Sequence, residues 1–181
     1  MQTIDALNST LRSYLNPEQT AYVKRAYYFA EQAHFGQLRR SGAAYVTHPL
    51  AVAHILADMH MDHQSLMAAM LHDVIEDTGI PKTAIGEQFG PTVADLVDGV
   101  SKLTQMEFES LEEKQAENFQ KMALAMATDI RVILVQLADR LLNMRTLAVL
   151  QAHKKRSIAR HTPDKNPPIG SRPGLTTDRL L

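Results

Sequence analysis

The sequence predicts an all-α protein, and three observations support this fold class. Apolar residues recur at helical spacing along most of the chain, whereas the alternation of apolar and polar residues that is typical of strands is nearly absent. Helix-starting and helix-ending signals separate the periodic stretches. A chain of 181 residues with 45% hydrophobic and 22% charged residues suits one compact domain with a real core. We therefore predict one helical domain over residues 1–160.

The first half of the chain contains clear boundaries between helices. Asn16 is a good N-cap, and Pro17 is tolerated in a first helical turn because its missing N–H would be unpaired there anyway. Gly79-Ile80-Pro81 ends a helix, since neither Gly nor Pro continues one comfortably. The predicted helices cover 3–14, a stretch starting at Pro17, 49–59, 63–77, 82–88 and 92–102, and residues 35–47 form a loop.

The second half begins with a polar connector over 103–112 and a helix over 113–127. The strongest helical pattern covers 129–150, where an apolar stripe is predicted to be buried. Its members are Ile130, Ile133, Leu134, Leu137, Ala138, Leu141, Met144 and Ala148. Asp139 lies beside this stripe. Residues 161–181 contain four prolines and two glycines, so we expect a loosely ordered tail there.

Composition excludes several classes of site and partner. Without cysteine there are no disulfides or thiolate metal sites, which leaves His, Asp and Glu as the strong ligands. A formal charge of −1 provides no global field for nucleic acid or for an acidic membrane, so neither partner is expected. The chain shows neither a leader peptide nor an apolar run long enough to span a membrane, and a cytoplasmic location is expected.

The segment HDVIED concentrates ionisable residues next to the apolar run LMAAML. On a helix, His72 would lie one turn from Glu76, and Asp73 one turn from Asp77. Such groups are costly in apolar surroundings unless they are paired, hydrated in a cleft or bound to a metal. Metal binding accounts for both His72 and Asp73, and Glu76 or Asp77 could then accept or relay a proton.

Two further residues extend this group into a possible metal site. His48 begins a helix after the loop, and Asp139 lies within an apolar-periodic helix where an unpaired carboxylate is unfavourable. One divalent cation held by His48, His72, Asp73 and Asp139 would satisfy all four side chains. Mixed nitrogen and oxygen ligation suits Mn²⁺ or Fe²⁺, with Mg²⁺, Co²⁺ and Zn²⁺ open.

Each of these residues also has an ordinary interpretation when it is taken alone. A His-Asp dipeptide is common at surfaces, His48 could cap a helix, and Asp139 could pair with Arg140 or Arg145. The four together favour the metal site. The other histidines have no useful spacing partner and are interpreted as surface or satisfied residues: His34, His54, His60, His63, His153 and His161.

A nucleotide is the ligand that the remaining polar residues suggest. Asn143 and Thr146 follow Asp139 by four and seven residues, so all three side chains lie on one face of the helix. Asn and Thr can bond sugar hydroxyls or phosphate, whereas Arg39 and Arg40 can stack on a base or form forked bonds to phosphate. Alone, these residues would be interpreted as a polar helix stripe and a solvated loop.

These segments resemble the hydrolase domain of the RelA/SpoT alarmone enzymes, particularly the SpoT branch. The resemblance covers roughly residues 20–160, in the family's order, and is densest in five stretches. They are RRSGAAYVTHP, LMAAMLHDVIEDTGI, QFGPTVADLVDGVSKL, QAENFQKM and DIRVILVQLADRLLNMRTL. The resemblance implies an HD-domain helical bundle with a central metal site and an Mn²⁺-dependent enzyme. Its expected reaction converts ppGpp or pppGpp to GDP or GTP and pyrophosphate.

The resemblance also implies roles for individual residues. His48, His72, Asp73 and Asp139 match the metal ligands, and Glu76-Asp77 matches the acidic pair that activates the attacking water. Two further sets of residues match nucleotide contacts. Arg39, Arg40 and Ser41 match the loop that contacts guanine, and Asn143 with Thr146 match further nucleotide positions.

The chain departs from the family pattern at several points. The synthetase and regulatory domains of long relatives are missing from this sequence, so it resembles either a small stand-alone alarmone hydrolase or a truncated copy of the longer enzyme. Synthesis is not expected. Gln136 and Leu142 stand where relatives usually have Lys and His, and the family's helix after Arg160 is replaced by a Pro-rich sequence. If that helix normally covers apolar surface, we expect either marginal stability or a homo-oligomer that buries the exposed patch. Two other functions stay open: a related phosphatase acting on NADPH or another nucleotide, and a non-catalytic alarmone-binding module.

Overall fold

The structure is a computed structural model that describes residues 3–39, 41–107 and 129–161. These residues form helices α1 (Ile4–Leu11), α2 (Pro17–Ala33), α3 (Thr47–Asp58), α4 (His63–Leu71), α5 (Val74–Thr78), α6 (Lys82–Phe89), α7 (Pro91–Glu107) and α8 (Ile130–His161). Within the described residues there is no strand, and the only β-type pairing is an isolated bridge between Leu38 and Ala44. The predicted all-α class is confirmed.

Local signals in the sequence begin and end several helices. Asn16 accepts a hydrogen bond from the Gln19 amide, and the Gln19 side chain accepts one from the Asn16 amide, so α2 begins with a complete capping box followed by Pro17. Gly79 ends α5 in the left-handed region at φ 72°, where a side chain would be strained. The predicted starts and ends at Pro17 and Gly79 are confirmed.

Helix α4 lies at the centre of the core. Its residues 65–71 are all buried, and it packs against α2, α3 and α7. Asp62 caps the helix by accepting hydrogen bonds from the Gln64 and Ser65 amides. Truncation of a buried leucine such as Leu66 to alanine typically costs about 2–5 kcal/mol. His72 and Asp73 follow directly after this buried helix, so its packing sets their position.

The predicted single helix over 63–77 is wrong, because the chain turns at His72 and Asp73 between α4 and α5. The His72 ring explains the break. Its Nδ1 lies 2.8 Å from the Ala69 carbonyl oxygen, the group that would accept from the Asp73 amide in a continuous α-helix. A side chain therefore competes for a helical hydrogen-bond acceptor, and the expected pairing of His72 with Glu76 along one helix does not hold.

The connector predicted over 103–112 is wrong for residues 103–107, which continue α7. Residues 108–112 and the helix predicted over 113–127 lie outside the described residues, as does the tail from 162 onward. Helix α8 starts one residue later than predicted and extends to His161 rather than ending at 150. The prediction of one domain over 1–160 and a tail over 161–181 stays a prediction.

The buried face of α8 differs from the predicted stripe. Ile133 and Ala138 are buried, but Ile130, Leu137 and Met144 are 59%, 55% and 61% exposed. Val132, Val135 and Gln136 face the core instead. A helix this rich in apolar residues offers more than one apolar face, and tertiary contacts choose among them. The observed face continues at helical spacing to Asp139.

Close packing between α7 and α8 selects that face. A Cβ at Gly99 of α7 would lie 2.9 Å from a γ-carbon of the buried Val132, which is too close. The Thr104 hydroxyl also donates a hydrogen bond to the Gln136 side-chain carbonyl, at 3.2 Å. Glycine at position 99 thus allows α8 to approach α7 with Val132 and Gln136 facing inward.

The chain divides into two compact units, residues 1–143 and 144–181, and α8 crosses the boundary. The first unit contains α1 to α7, the start of α8 and every predicted site residue except Thr146. In the second unit, residues 144–161 are helical. Among the described residues, no helix is both long and apolar enough to cross a bilayer.

Candidate metal centre

Three of the four predicted ligands converge in the first unit. His48, His72 and Asp139 each offer a ligand atom, and these atoms lie within 4.8 Å of one another. Asp139 Oδ1 is 2.9 Å from His48 Nε2 and 4.0 Å from His72 Nε2. The residues come from α3, the α4–α5 turn and α8, so folding alone brings them together. Their role as ligands stays a prediction.

Asp73 lies beside this group. Its Oδ2 is 3.1 Å from His72 Nε2 and 3.8 Å from His48 Nε2. The same oxygen accepts a hydrogen bond of 2.6 Å from the Tyr45 hydroxyl. Both His residues are buried, and the Asp73 and Asp139 side chains are 18% and 14% exposed. Two carboxylates and two imidazoles thus share one largely buried space.

The orientation of His72 suits a metal ligand. Its Nδ1 donates to the Ala69 carbonyl, which leaves Nε2 as the nitrogen that faces the carboxylates. Nε2 is buried and has no hydrogen-bond partner of acceptable geometry. In this tautomer, Nε2 and Asp73 Oδ2 are both acceptors, so their 3.1 Å separation requires a proton or a cation between them. The donor set therefore fits a divalent cation.

The electrostatics of the site also favour a bound cation. Burial disfavours the imidazolium, but the Asp73 and Asp139 carboxylates outweigh it and raise the pKa of His72 to about 9. Burial also opposes ionisation of Asp73, yet His72, the Tyr45 hydroxyl and His48 lower the pKa of that carboxyl far below its ordinary value. The site holds its carboxylates ionised and favours positive charge between them.

Tyr45, which lies three residues before His48, is a site residue that the sequence patterns do not predict. Its ring stacks on the His34 ring with centroids 4.5 Å apart, and its hydroxyl reaches Asp73. Burial and the neighbouring carboxylates of Asp73 and Asp77 raise the pKa of Tyr45 well above its ordinary value, so the hydroxyl keeps its proton at neutral pH. In the sequence, its position just before the helix that carries His48 is the only signal.

His34, which is predicted to be a surface or satisfied histidine, lies beside Tyr45. It is buried, its Nδ1 lies 2.8 Å from the Gln37 side-chain carbonyl, and its ring supports Tyr45. Gln37 in turn donates to the Asp77 backbone carbonyl, at 3.3 Å, and accepts from the Tyr45 amide through its own backbone oxygen, at 3.0 Å. These contacts connect the loop after α2 to α5, which follows the turn that carries Asp73.

The predicted acidic pair lies on α5, immediately after that turn. Glu76 and Asp77 are both exposed, in contrast to the ligands. The Asp77 carboxylate contributes to raising the pKa of Tyr45, so it lies near the hydroxyl that contacts Asp73. The pair is thus placed next to the ligand cluster but within reach of solvent. Its catalytic role stays a prediction.

The residues predicted to contact a nucleotide have different surroundings. Arg39 and Ser41 belong to a tight turn in which the Arg39 amide donates to Ala43 and the Arg39 carbonyl accepts from Gly42, both at 2.8 Å. Arg40 lies outside the described residues. Asn143 donates through Nδ2 to both carboxylate oxygens of Asp139, at 3.0 and 3.2 Å.

Asn143 therefore orients a predicted metal ligand, a role that its spacing from Asp139 did not reveal. Thr146 belongs to the second unit, and its contact with a nucleotide stays a prediction, as do those of Arg39, Arg40, Ser41 and Asn143.

A largely buried cluster of two imidazoles and two carboxylates in a helical domain has the donor set of a hydrolytic metal centre. The chain belongs to the HD-domain family, whose model matches residues 26–176. Within this family it is similar to SpoT-type proteins, so the resemblance seen in the sequence is confirmed. It is 50% identical over 175 residues to the bifunctional (p)ppGpp synthase/hydrolase SpoT of Escherichia coli (strain K12), covering 97% of this chain and 25% of that protein.

Other proteins that the chain is similar to are also SpoT-type proteins. A guanosine-3′,5′-bis(diphosphate) 3′-pyrophosphohydrolase of Haemophilus influenzae is 53% identical over 146 residues, covering 81% of this chain and 22% of that protein. A solved structure described as a metazoan ortholog of SpoT that hydrolyzes ppGpp matches with a TM-score of 0.56 and 34% identity, covering 71% of each chain. The chain spans about a quarter of the length of the curated relatives it matches.

Proposed function

We propose that the chain is a divalent-cation-dependent hydrolase that removes the 3′-pyrophosphate of ppGpp or pppGpp. The cluster of His48, His72 and Asp139, with Asp73 beside it, is the observation that carries this proposal. The names of relatives at about half identity supply the substrate class. Of the possible cations we propose Mn²⁺, from the resemblance and from the mixed nitrogen and oxygen donors.

The protein residues would hold the cation through His48 Nε2, His72 Nε2 and the carboxylates of Asp139 and Asp73. A bound cation lowers the pKa of a coordinated water and neutralises phosphate charge. Asn143 keeps the Asp139 carboxylate oriented, and the Ala69 carbonyl keeps the His72 ring oriented. The protein's contribution is thus a prepared, largely buried set of donors.

Proton transfer is the role proposed for Glu76 and Asp77. Both are exposed beside the cluster, where a carboxylate can accept a proton from an attacking water and deliver it to a leaving group. In the balanced reaction, water adds to the phosphorus bonded to O3′, that P–O bond breaks, and the 3′ oxygen gains a proton. The products are pyrophosphate and GDP from ppGpp, or GTP from pppGpp.

Nucleotide binding is the role proposed for Arg39, Arg40, Ser41, Asn143 and Thr146. Arginine provides a planar cation that stacks on bases and forks to phosphates. With a formal charge of −1, the chain has no global field for nucleic acid, so local cations must select the small anionic substrate.

The experiment that tests this proposal identifies the released phosphate. The purified chain is stripped of metal, reloaded with Mn²⁺ and incubated with ppGpp, and the products are separated by anion-exchange chromatography. We expect GDP and pyrophosphate in equal amounts, with no turnover in the metal-free sample. Loss of a single orthophosphate, or no product at any Mn²⁺ concentration, would overturn the proposal.

The same assay separates the two alternatives. Release of orthophosphate from NADPH without turnover of ppGpp would identify a related nucleotide phosphatase. Saturable binding of ppGpp without products in excess Mn²⁺ would identify a non-catalytic alarmone-binding module.

A further inference from the structure

We propose that Tyr45 is a positioning residue that holds Asp73 ready to bind the cation. This inference rests on the metal site of the proposed function and adds to it an outer residue that no motif singles out. The juxtaposition is specific: the hydroxyl donates to Asp73 Oδ2 at 2.6 Å, and that oxygen is the one nearest His72 Nε2.

Asp73 needs such a partner because its backbone position alone does not orient its side chain. It lies in the turn between α4 and α5, where its φ and ψ are −93° and −7° and its side chain makes no capping hydrogen bond. Without the Tyr45 hydroxyl, the carboxylate could rotate toward solvent by its χ angles. Residues that bond to a metal-ligating carboxylate fix its rotamer in this way.

Tyr45 is itself held on three sides, as a positioning residue must be. Its ring stacks on His34, which is only 3% exposed, and is tilted against the ring of His48 with centroids 6.0 Å apart. Its amide donates to the Gln37 carbonyl at 3.0 Å. A rigid ring therefore sets the position of the hydroxyl, and the hydroxyl sets the position of Asp73.

Asn143 contacts Asp139 in the way that Tyr45 contacts Asp73. It donates to both oxygens of Asp139, so each predicted carboxylate ligand has one neutral donor that orients it. The two donors differ in origin: Asn143 is one turn from Asp139 on the same helix, whereas Tyr45 precedes Asp73 by 28 residues. Only the second arrangement depends on the fold.

The test compares Tyr45→Phe with the parent chain, since phenylalanine keeps the stacked ring and removes only the hydroxyl. Loss of an outer-shell partner typically weakens metal affinity about 10–100-fold. We expect a loss of this size in Mn²⁺ affinity, measured by calorimetry on metal-free protein, with kcat restored to within about threefold by saturating Mn²⁺. Tyr28→Phe is the matched control, because Tyr28 is 45% exposed, and its affinity should equal the parent's.

Equal Mn²⁺ affinity in the parent and in Tyr45→Phe would overturn the inference and leave the proposed function intact. A parent chain that binds no Mn²⁺ would overturn both. A fall in kcat that saturating Mn²⁺ does not restore would assign Tyr45 a direct role in the reaction instead, and would also overturn positioning.

A second measurement guards against a Tyr45→Phe chain that does not fold. 3-Fluorotyrosine placed at position 45 keeps both the ring and the hydroxyl. Its ¹⁹F resonance should shift when Zn²⁺, a diamagnetic probe, is added, and should shift in the metal-free Asp73→Ala variant. A resonance that responds to neither change would show that the hydroxyl does not report on Asp73, and would overturn the inference.

Discussion

The six residues from His72 to Asp77 contain two groups of ionisable side chains with opposite surroundings. His72 is buried and Asp73 is nearly so, and each has fixed partners in the Ala69 carbonyl and the Tyr45 hydroxyl. Glu76 and Asp77, one short turn later, are exposed. Burial makes an unpaired charge costly, so the first group must be paired, whereas the second stays hydrated.

We infer that this short segment divides two tasks between its two groups. Groups that hold a cation benefit from burial and fixed rotamers, which prepare the donor atoms before binding. A group that accepts and returns a proton must instead reach water and substrate. The break at His72 and Asp73 is what allows a buried group and an exposed group to lie so close in the chain.

The largest expected effect is in the ligand cluster to which the buried group belongs. Asp139→Ala removes a carboxylate that lies 2.9 Å from His48 Nε2, so we expect loss of Mn²⁺ binding in calorimetry and no measurable ppGpp turnover. Asp95→Ala is the control, because Asp95 belongs to a surface pair with Lys82 and its side chain is 69% exposed. Retained Mn²⁺ binding in Asp139→Ala would break the assignment of the cluster.

The exposed group should affect the chemical step alone. Glu76→Gln and Asp77→Asn remove a proton acceptor without changing size, and loss of a general base typically lowers kcat about 10²–10⁴-fold. We expect such a decrease for at least one variant, with Mn²⁺ affinity unchanged by calorimetry. If both variants lose Mn²⁺ in parallel with turnover, the separation between holding the cation and moving the proton is wrong.

The buried group should also make stability depend on pH when metal is absent. The pKa of His72 is raised to about 9, so its contribution is fully present below the unfolded value near 6.5 and is lost as pH rises through about 9. The free energy of unfolding in EDTA should therefore fall between about pH 6.5 and 9, by at most about 1.4 kcal/mol per pH unit.

Urea titrations at several pH values measure this slope. The lowered pKa of Asp73 affects stability at acidic pH. Its contribution to the free energy of unfolding is present above about pH 4 and is lost as the pH falls toward the folded-state pKa. A slope between pH 6.5 and 9 that persists in His72→Gln would show that another group is responsible.

The smallest expected effect is the change in the free energy of unfolding when residues of the exposed group are substituted. Surface substitutions away from special features usually change the free energy of unfolding by less than about 0.5 kcal/mol. We expect Glu76→Gln and Asp77→Asn to stay within that limit in urea titrations with EDTA present. A loss of about 2 kcal/mol or more would mean that these residues support the turn rather than the reaction.

Much of this molecule follows from local sequence. The capping box at Asn16 and the glycine after α5 set helix ends because their hydrogen bonds and backbone angles involve only neighbouring residues. The candidate ligands were also identified from sequence, since ionisable residues in apolar surroundings are costly without a partner.

Tertiary structure decided what depends on contacts between distant residues. Helical spacing predicted that α8 has a buried stripe but not which face of the helix is buried. That face is set by the close approach of Val132 to Gly99. The break after Leu71 depends on competition between the His72 ring and a backbone amide for one carbonyl, which periodicity does not register. Tyr45 was missed for the same reason: its partners, His34 and Asp73, meet it only once the chain is folded, and hydrogen bonds and ring stacking act over a few ångströms regardless of sequence separation.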